Sequence, residues 1–257
     1  MLLRFYTPLQ RIAAPAGHAI DIVDPNVAPL ENYKFVVAPS LNVIPQALAD
    51  KLVAYVRQGG HLLLGPRSGM KDEYNALNTQ RQPGPLVDAL GGRVEQYYAL
   101  DAPVKLADAS GSADIWGEHL STAAPDSKIE LRYGAGNGWL EGKAAMISRK
   151  LGKGSISYLG TLPDEALTHD LLARAAHEAG AASSGSELPK DVEFCVRSDA
   201  THSVGIVINH SNSATQVTLS GTYKSLLPSI KLTTDNGHSN VELPAQGVAV
   251  LVKETAK

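Results

Sequence analysis

The sequence predicts an α/β domain followed by a small antiparallel β-sandwich, and three observations support this prediction. An amphipathic pattern over 45–58 leads through two glycines into the apolar run His61–Leu64, which is typical of a helix followed by a strand buried on both faces. The segment 181–186 is small and polar, as in a linker. Beyond it the helical period stops, and short alternating runs follow one another at the spacing of a sandwich.

Composition excludes several classes of partner. The 257-residue chain has a formal net charge of -3, so it offers no basic field for nucleic acid or for an anionic membrane surface. Cys195 is the only cysteine, which rules out an intrachain disulfide and a thiolate metal cluster. The sequence has no apolar run of about eighteen residues and no secretory signal pattern, so we expect a cytoplasmic protein.

The beginning of the chain predicts one helix and two strands. Residues 2–13 place apolar side chains on one side of a helix that Pro8 would bend. The runs 20–23 and 35–38 are short β-type segments, and proline and asparagine residues typical of turns separate them.

The next helix is predicted over 45–58. Pro45 suits the first helical turn, and Gly59 suits the left-handed position that ends a helix. Its apolar stripe consists of Leu48, Leu52, Val53, Tyr55 and Val56.

The pattern changes in the middle of the chain. Between about 94 and 147, short β-type runs broken by glycines indicate a β-rich insertion. Residues 147–159 are typical of a hairpin with a glycine turn. A last helix is predicted over 163–179, with Thr161 and Asp164 as its capping arrangement.

Two domains follow from these elements. The α/β domain, with its insertion, is predicted over 1–182, and the antiparallel β-sandwich over 187–257. The strands of the sandwich are predicted at 192–196, 204–208, 217–219, 230–232 and 248–252, with turn residues such as Asn236-Gly237 between them.

A candidate site lies in the loop that follows His61–Leu64, because ligands in open α/β sheets bind beyond the carboxyl ends of strands. The loop is unlike a phosphate loop, since its lysine falls two residues after Gly69 and no serine or threonine follows it. It is not a Gly-x-Ser-x-Gly elbow, because Pro66 takes the place of the first glycine. The polar residues of the loop therefore hold it or meet a neighbour more readily than they react. They are Arg67, Ser68, Lys71 and Asp72.

Other reactive side chains are scattered. The histidines show no His-Glu-x-x-His motif and no i, i+4 pair, so we predict no metal site, and no motif indicates a cofactor. Cys195 falls within a predicted sandwich strand and is expected to be a small core residue. Trp116 and Trp139 belong to the insertion, where they could contact a sugar or a protein or could pack in a core. Asn209-His210-Ser211 matches a glycosylation sequon.

The chain carries an ordered series of motifs that covers nearly its whole length. In the first part these are Tyr33-Lys34-Phe35-Val36-Val37-Ala38-Pro39, Tyr55-Val56-Arg57-Gln58-Gly59-Gly60, Leu63-Leu64-Gly65-Pro66-Arg67-Ser68-Gly69-Met70-Lys71-Asp72-Glu73 and Pro83-Gly84-Pro85-Leu86. Further on they are Arg149-Lys150-Leu151-Gly152-Lys153-Gly154, Tyr158-Leu159-Gly160-Thr161-Leu162-Pro163-Asp164, Val207-Ile208-Asn209-His210-Ser211 and Gly247-Val248-Ala249-Val250-Leu251. The series resembles the middle and carboxy-terminal domains of family 42 β-galactosidases.

The resemblance implies a flavodoxin-like, class I amidotransferase-type middle domain that helps to build a homotrimer, followed by an antiparallel β-domain. In that family the catalytic glutamates lie in a (β/α)₈ barrel that these residues do not match, so no catalytic residue is carried over. The amidotransferase fold would offer a cysteine after a strand, where this chain has Gly65-Pro66-Arg67-Ser68, so the resemblance implies that the amidotransferase activity is lost. The family also has a strand ahead of the helix at 2–13, which would fall before Met1.

Three functions follow from these observations. The favoured one is a non-catalytic oligomerisation and support portion of a β-galactosidase-like glycoside hydrolase in carbohydrate metabolism, with further copies of the chain and a catalytic barrel domain or chain as partners. The alternative is a stand-alone carbohydrate-binding or regulatory protein that would contact galactosides through Trp116, Trp139 and the loop after Leu64. The third, a hydrolase or amidotransferase that uses Cys195 or Ser68, has the weakest support.

Overall fold

The computed structural model describes residues 2–13, 20–107, 111–181, 188–189, 191–198 and 203–254. The chain divides into two compact units, one formed by Met1–Phe5 with Val23–Leu172 and the other by Tyr6–Ile22 with Ala173–Lys257. Most of the linker predicted at 181–186 lies outside the described residues. The α-helices are α1 (Leu2–Ala13), α2 (Gln46–Gln58), α3 (Val87–Leu90) and α4 (Glu165–Glu178). Short 3-10 helices span Leu30–Asn32, Gly84–Leu86 and Gly138–Leu140.

The first unit contains one mixed sheet of nine strands. Its main path runs β1-β2-β8-β7-β5-β3, with β4 and β9 paired to β5 and β6 paired to β7. Among the described strand pairs of this sheet, β1–β2 and β2–β8 are parallel and the others are antiparallel. The strands are β1 (Phe35–Ala38), β2 (His61–Leu64), β3 (Gly92–Ala99), β4 (Val104–Lys105), β5 (Ser112–Thr122), β6 (Lys128–Arg132), β7 (Ala144–Leu151), β8 (Gly154–Leu159) and β9 (Thr161–Pro163).

The β1-α2-β2 segment forms as predicted. Gly59 follows the last residue of helix α2 and ends it with a φ of 123°, which suits a residue without a Cβ. The apolar stripe of α2 packs in the core with Leu62 and Leu64. Pro45 is the residue just before the helix and not part of its first turn, because its backbone is extended. Strand β2 is buried along Leu62 to Leu64 between two parallel neighbours, as its unbroken apolar run indicates.

The strand predicted at 20–23 is wrong. The segment is irregular, and Ile22 is 69% exposed. Strand-type residues need a neighbouring strand, and this segment pairs with none of the described strands. The chain just beyond it is fixed by a side chain instead: Lys51 Nζ of α2 donates to the carbonyl oxygens of Pro25, Asn26 and Ala28 at 2.8, 3.0 and 2.7 Å.

Lys51→Met is therefore expected to lower the free energy of unfolding by about 1 to 2 kcal/mol, because it keeps the side-chain stem but removes the donors to three carbonyl oxygens. Urea unfolding followed by circular dichroism measures the change. Lys153→Met, at an exposed lysine, is the matched control and should change the free energy by less than about 0.5 kcal/mol. Equal losses in the two variants would contradict the role of Lys51.

Strands β3 to β7 occupy the segment that includes the predicted insertion, and they pair within the same sheet as β1 and β2. The predicted hairpin forms between β7 and β8, with Leu151 opposite Gly154. The predicted cap of the last helix is partly wrong. Asp164 Oδ1 itself accepts from the Leu167 backbone N–H at 3.0 Å, while Thr161 Oγ1 donates to the Trp116 carbonyl at 2.7 Å. An aspartate directly before the helix reaches its free N–H groups better than a threonine three residues earlier.

The second unit contains two antiparallel sheets, ordered β10-β11-β16-β13 and β12-β15-β14. Inward side chains of both sheets share one buried core, which includes Phe194, Val207, Val217, Val241 and Leu251. The strands are β10 (Val192–Ser198), β11 (Ser203–Asn209), β12 (Thr215–Ser220), β13 (Tyr223–Ser225), β14 (Leu232–Asp235), β15 (His238–Leu243) and β16 (Val248–Lys253).

Most of the strands predicted in this unit are confirmed. Asn236 and Gly237 form a two-residue hairpin turn with positive φ at both positions, and Asp235 pairs with His238 across it. The run predicted at 230–232 is displaced, because only Leu232 belongs to β14. Two further strands, β13 and β15, were not predicted, since their apolar residues are few and interrupted by polar ones.

Candidate functional site

The loop that follows β2 lies against the backbone that follows β1. The Gly65 N–H donates to the Ala38 carbonyl at 2.8 Å, and a Cβ on Gly65 would lie 2.1 Å from the Pro39 carbonyl oxygen. Two residues later Arg67 adopts a φ of 66°, which is uncommon for a residue other than glycine. The strand therefore ends in a tight, strained turn of the kind that exposes one side chain.

Three of the four predicted loop residues form hydrogen bonds in the loop or to the segment beside it. Ser68 is fully buried, and its Oγ donates to the Gly65 carbonyl at 2.8 Å and accepts from the Leu41 N–H at 3.1 Å. Lys71 Nζ donates to Asn75 Oδ1 at 2.7 Å, and Asp72 Oδ1 accepts from two backbone N–H groups of the same loop. Lys71 and Asp72 form these hydrogen bonds within the loop, Ser68 also bonds the segment after β1 through Leu41, and the buried Ser68 hydroxyl is not accessible to a substrate.

Arg67 belongs to a different group, centred on a carboxyl group that sequence reasoning missed. Glu118 of β5 is fully buried, and its Oε1 accepts from the Arg67 backbone N–H at 3.0 Å and from Trp116 Nε1–H at 2.9 Å. Its Oε2 accepts from the Tyr158 hydroxyl of β8 at 2.8 Å. We call Arg67, Trp116, Glu118, Tyr133 and Tyr158 the Glu118 cluster. One feature of the sequence could have indicated this buried carboxyl group: Glu118 is an acidic residue at an inward position of a strand whose buried and exposed residues alternate.

Tyr133 supports the backbone beneath the carboxyl group. It is fully buried, and its hydroxyl donates to the Glu118 carbonyl at 3.1 Å and accepts from the Glu118 N–H at 3.0 Å. The β5–β9 pairing shifts register between Asp114 and Gly117, so β5 bulges immediately before Glu118.

Burial controls the ionisation of the cluster. It raises the pKa of Glu118 to about 7, although hydrogen bonds from Trp116, Tyr158 and the Arg67 backbone act in the opposite direction, as does the Arg67 charge. Burial and the neighbouring Glu118 carboxyl group also raise the pKa of the Tyr158 hydroxyl. The carboxyl oxygens are enclosed by protein donors, so the cluster joins the β2 loop, β5 and β8 and presents no acid or nucleophile to solvent.

The two tryptophans lie in different aromatic pairs. The Arg67 guanidinium lies over the Trp116 ring at 5.3 Å, and Tyr97 stacks on that ring with centroids 5.3 Å apart. Trp139 instead contacts Tyr98. Because Tyr97 and Tyr98 are successive residues of β3, they point to opposite faces of the sheet. The structure therefore does not bring Trp116 and Trp139 into one site.

Cys195 is not a core residue, which corrects the prediction. It is half-buried on the face of β10 opposite to Phe194, because alternation along the strand turns Phe194 inward. Its Sγ donates to Glu193 Oε1 at 3.3 Å, and Glu193 Oε2 lies 3.1 Å from His210 Nε2. Burial, followed by the Glu193 carboxylate, raises the pKa of the thiol. The carboxylate separates the thiol from the imidazole, so this group lacks an activated nucleophile.

The remaining candidates are structural. The Asn209 side chain of the sequon is buried, and its Nδ2 donates to the carbonyls of Ser213 and Pro244 at 2.7 and 2.8 Å, so the folded chain cannot present it for glycosylation. In the described part of the chain, His, Cys, Asp and Glu side chains form no group of three or more that could hold a metal ion. None of the described helices is both long and apolar enough to cross a membrane.

Comparison with known proteins finds similarity to β-galactosidases along nearly the whole chain. A family model described as the β-galactosidase trimerisation domain matches residues 2–182, and one described as the β-galactosidase C-terminal domain matches residues 191–253. β-Galactosidase BglY of Alicyclobacillus acidocaldarius is 33% identical over 265 residues, which cover 97% of this chain and 36% of BglY. β-Galactosidase Bga of Halorubrum lacusprofundi is 34% identical over 178 residues, which cover 62% of this chain and 25% of Bga.

Solved structures show the same fold. The β-galactosidase of Bacillus circulans sp. alkalophilus superposes with a TM-score of 0.84 at 22% identity, over 98% of this chain and 37% of that enzyme. The β-galactosidase of the haloarchaeon Halorubrum lacusprofundi superposes with a TM-score of 0.77 at 27% identity, over 98% of this chain and 35% of that enzyme. The chain thus spans between a quarter and two fifths of the length of these relatives.

Proposed function

The chain belongs to the glycoside hydrolase family 42 β-galactosidases through their trimerisation and C-terminal domains, and we propose that it is a non-catalytic oligomerisation and support portion of such an enzyme. The observation that carries the proposal is the match of residues 2–182 to the trimerisation domain. The proposed partners are two further copies of the chain and a catalytic barrel domain or chain. The proposed setting is carbohydrate metabolism in the cytoplasm.

The chemistry of the described residues agrees with a non-catalytic role. The exposed residue at the strained end of β2 is Arg67, which has no nucleophilic atom, and the Ser68 hydroxyl beside it is buried and hydrogen-bonded. The Cys195 thiol is held by a carboxylate and has a raised pKa. These three observations count against the hydrolase and amidotransferase hypothesis.

We further propose that residues 1–182 form a flavodoxin-like, amidotransferase-type domain whose sheet is extended by a β-rich insertion at about 94–147. Support comes from the parallel β1-β2-β8 core, from the β1-α2-β2 crossover and from the strained turn after β2. We place the domains at 1–182 and 187–257, a division supported by the family matches, which end at 182 and begin again at 191.

Within this function we assign Ser68, Lys71 and Asp72 to holding the β2 loop and Arg67 to contact with a neighbour. The alternative, a carbohydrate-binding protein that contacts galactosides through Trp116 and Trp139, has less support. The Trp116 ring already packs with Arg67 and Tyr97, and Trp139 belongs to a separate pair with Tyr98. A sugar site needs an aromatic face available for stacking together with convergent polar groups.

Sedimentation equilibrium of the purified chain, combined with a chromogenic galactoside assay, tests the proposal. We expect a species of three chain masses and no turnover of the galactoside, because residues 2–182 match the trimerisation domain and the candidate nucleophiles Ser68 and Cys195 are not activated in the structure. Monomers at every concentration would overturn the oligomerisation role, and turnover at rates typical of enzymes would overturn the non-catalytic one.

A further inference from the structure

A cleft opens between the segment 77–82 and strand β3, and its lining residues all belong to the first unit. Backbone hydrogen bonds hold the segment beside the cleft: the Asn78 N–H donates to the Met70 carbonyl at 2.9 Å, and the Val94 N–H of β3 donates to the Gln82 carbonyl at 2.8 Å. The volume of the cleft is about 160 Å³. A cavity of about 150 Å³ accommodates one benzene molecule, so the space suits one six-membered ring. We call it the Gln82 cleft.

Gln82 gives the cleft a buried donor without an acceptor. The residue is 7% exposed, and its Nε2 atom is buried and has no hydrogen-bond partner in the described part of the chain. Buried polar side-chain atoms are nearly always hydrogen-bonded, because an unpaired one keeps the free-energy cost of its desolvation. The terminal amide of a glutamine turns readily about its last torsion, so an acceptor placed in the cleft can engage it. Gln82 therefore indicates a ligand that accepts hydrogen bonds.

Glu95 of β3 gives the cleft an acceptor. Its Oε1 accepts from Ser121 Oγ at 2.6 Å and from Arg93 Nε at 2.8 Å, and these hydrogen bonds lower the pKa of Glu95, which is therefore ionised at neutral pH. Its Oε2 lies 3.8 Å from Arg81 Nη1, which is longer than a hydrogen bond. This oxygen therefore keeps the capacity to accept a hydrogen bond from a ligand.

Opposite charges lie side by side at this wall of the cleft. Arg81 faces the Glu95 carboxylate and also donates from Nη1 to the Glu95 carbonyl. The pair offers little net attraction to an anion or to a cation, since either ion would meet a like charge next to an opposite one. A hydroxyl group both donates and accepts, so it can use Glu95 together with the Gln82 amide or the Arg81 guanidinium. The polar wall therefore favours a neutral ligand with several hydroxyl groups.

Apolar residues form another part of the lining. Leu77 and Tyr97 are 65% and 43% exposed, and Met70 and Val94 line the same cleft. Apolar and aromatic residues with a few convergent polar groups are typical of a small-molecule site. The ligand that fits this lining has an apolar face as well as hydroxyl groups. A pyranose has both, with C–H bonds on one face of a six-membered ring and hydroxyl groups at its rim.

We propose that the Gln82 cleft binds one pyranose ring of a neutral saccharide without reacting with it. The Gln82 amide and the Arg81 guanidinium donate to hydroxyl oxygens, Glu95 Oε2 accepts from a hydroxyl group, and the C–H face contacts Leu77 and Tyr97. Glu95 is the one acidic residue among the described residues that line the cleft, whereas glycoside hydrolysis uses a pair of carboxyl groups. The cleft is therefore a site for binding and not for turnover.

Isothermal titration calorimetry of the full chain with galactose, glucose, mannose and xylose, each titrated separately, tests the proposal. We expect at least one of the four sugars to bind with a millimolar dissociation constant. Gln82→Leu and Glu95→Gln should each weaken that binding about 10-fold, as expected for the loss of one hydrogen bond. Gln58→Leu, which removes an exposed glutamine outside the cleft, is the matched control and should leave the affinity unchanged. The melting temperature of Gln82→Leu should equal or exceed that of the wild type, since an unpaired buried donor is removed.

Four results would overturn the proposal. They are no heat of binding with any of the four sugars, an unchanged affinity in both cleft variants, an equal loss of affinity in Gln58→Leu, and a melting temperature that falls in Gln82→Leu. The last would show that the amide has a structural role within the chain. Because Glu95→Gln changes a second residue of the cleft, misfolding of one variant does not remove the test.

The inference goes beyond the oligomerisation role and does not depend on it, because a single chain supplies the residues that line the cleft. A chain that binds a sugar and stays monomeric overturns the oligomerisation role alone. A trimer that binds none of the sugars overturns the inference alone. Trp139→Ala should leave the affinity unchanged, since Trp139 does not line the cleft. A loss of binding in Trp139→Ala that the cleft variants do not share would place the sugar at the tryptophan and overturn the inference.

Discussion

Gly65→Ala is expected to destabilise the first unit by about 3 kcal/mol or more. A Cβ at this position would lie 2.1 Å from the carbonyl oxygen of Pro39 and 2.6 Å from its carbonyl carbon. Both atoms belong to the backbone, so no side chain can rotate to relieve the overlap, and the loops after β1 and β2 must separate. That separation also strains the two hydrogen bonds of the Ser68 hydroxyl and the hydrogen bond from the Arg67 N–H to the Glu118 carboxyl group.

Urea unfolding followed by circular dichroism measures this loss, and Gly134→Ala provides the matched control. A Cβ on Gly134 would lie 3.4 Å from its nearest neighbour, the Lys105 carbonyl oxygen, which is an ordinary contact. The control should therefore change the free energy of unfolding by less than about 0.5 kcal/mol. If Gly65→Ala is as stable as the control, the two loops do not pack as closely as described.

Local patterns in the sequence predicted the elements whose formation depends on residues close together in the chain. Helix α2 follows from apolar residues at helical spacing, and the hairpin at Asn236-Gly237 follows from two residues that tolerate positive φ. The segment 20–23 shows the limit of this reasoning. Its residues favour a strand, but a strand forms only where a partner is available, and sequence periodicity does not show partners.

The Glu118 cluster could not be predicted for the same reason. Arg67 is 51 residues from Glu118 and Tyr158 is 40 residues from it, and they meet only because the sheet places β2, β8 and β5 close together. The prediction for Cys195 was wrong by one residue: the strand was predicted, but the face of the strand that points into the core was assigned to Cys195 and not to Phe194. The sequence placed it in a strand, but the choice of inward face depends on Phe194 packing against Tyr223.

The end of β2 keeps the geometry of a reactive turn without its chemistry. A positive φ in the turn that follows a buried strand, here three residues after Leu64, exposes the side chain at that position, and enzymes use a similar turn to expose a nucleophile. Here the exposed side chain is Arg67, and its guanidinium packs on Trp116. The Arg67 backbone N–H donates a hydrogen bond to the Glu118 carboxyl group. The buried Glu118 carboxyl group thus accepts the hydrogen bond that the Arg67 N–H of the turn would otherwise donate to solvent or substrate.

Glu118→Gln is expected to abolish a pH dependence of stability that the wild-type chain shows. In the folded chain the pKa of Glu118 is about 7, whereas an unfolded glutamate has a pKa of about 4.3. Between these values the unfolded chain has released the proton that the folded chain retains, so stability falls as the pH rises. The contribution of the protonated group is complete below about pH 4.3 and is lost as the pH rises through about 7.

The expected loss for the wild type between about pH 5 and pH 8.5 is about 2 to 3 kcal/mol, since one pKa unit corresponds to about 1.4 kcal/mol. Glutamine is neutral over this pH range and has the shape of the protonated acid, so the free energy of unfolding of Glu118→Gln should not show this decrease. Urea unfolding at the two pH values measures the difference. Glu95→Gln is the control, because hydrogen bonds from Ser121 and Arg93 lower the pKa of Glu95 and keep it ionised across the range. A wild-type chain and a Glu118→Gln variant that respond equally to pH would show that Glu118 is ionised at both pH values in the folded chain.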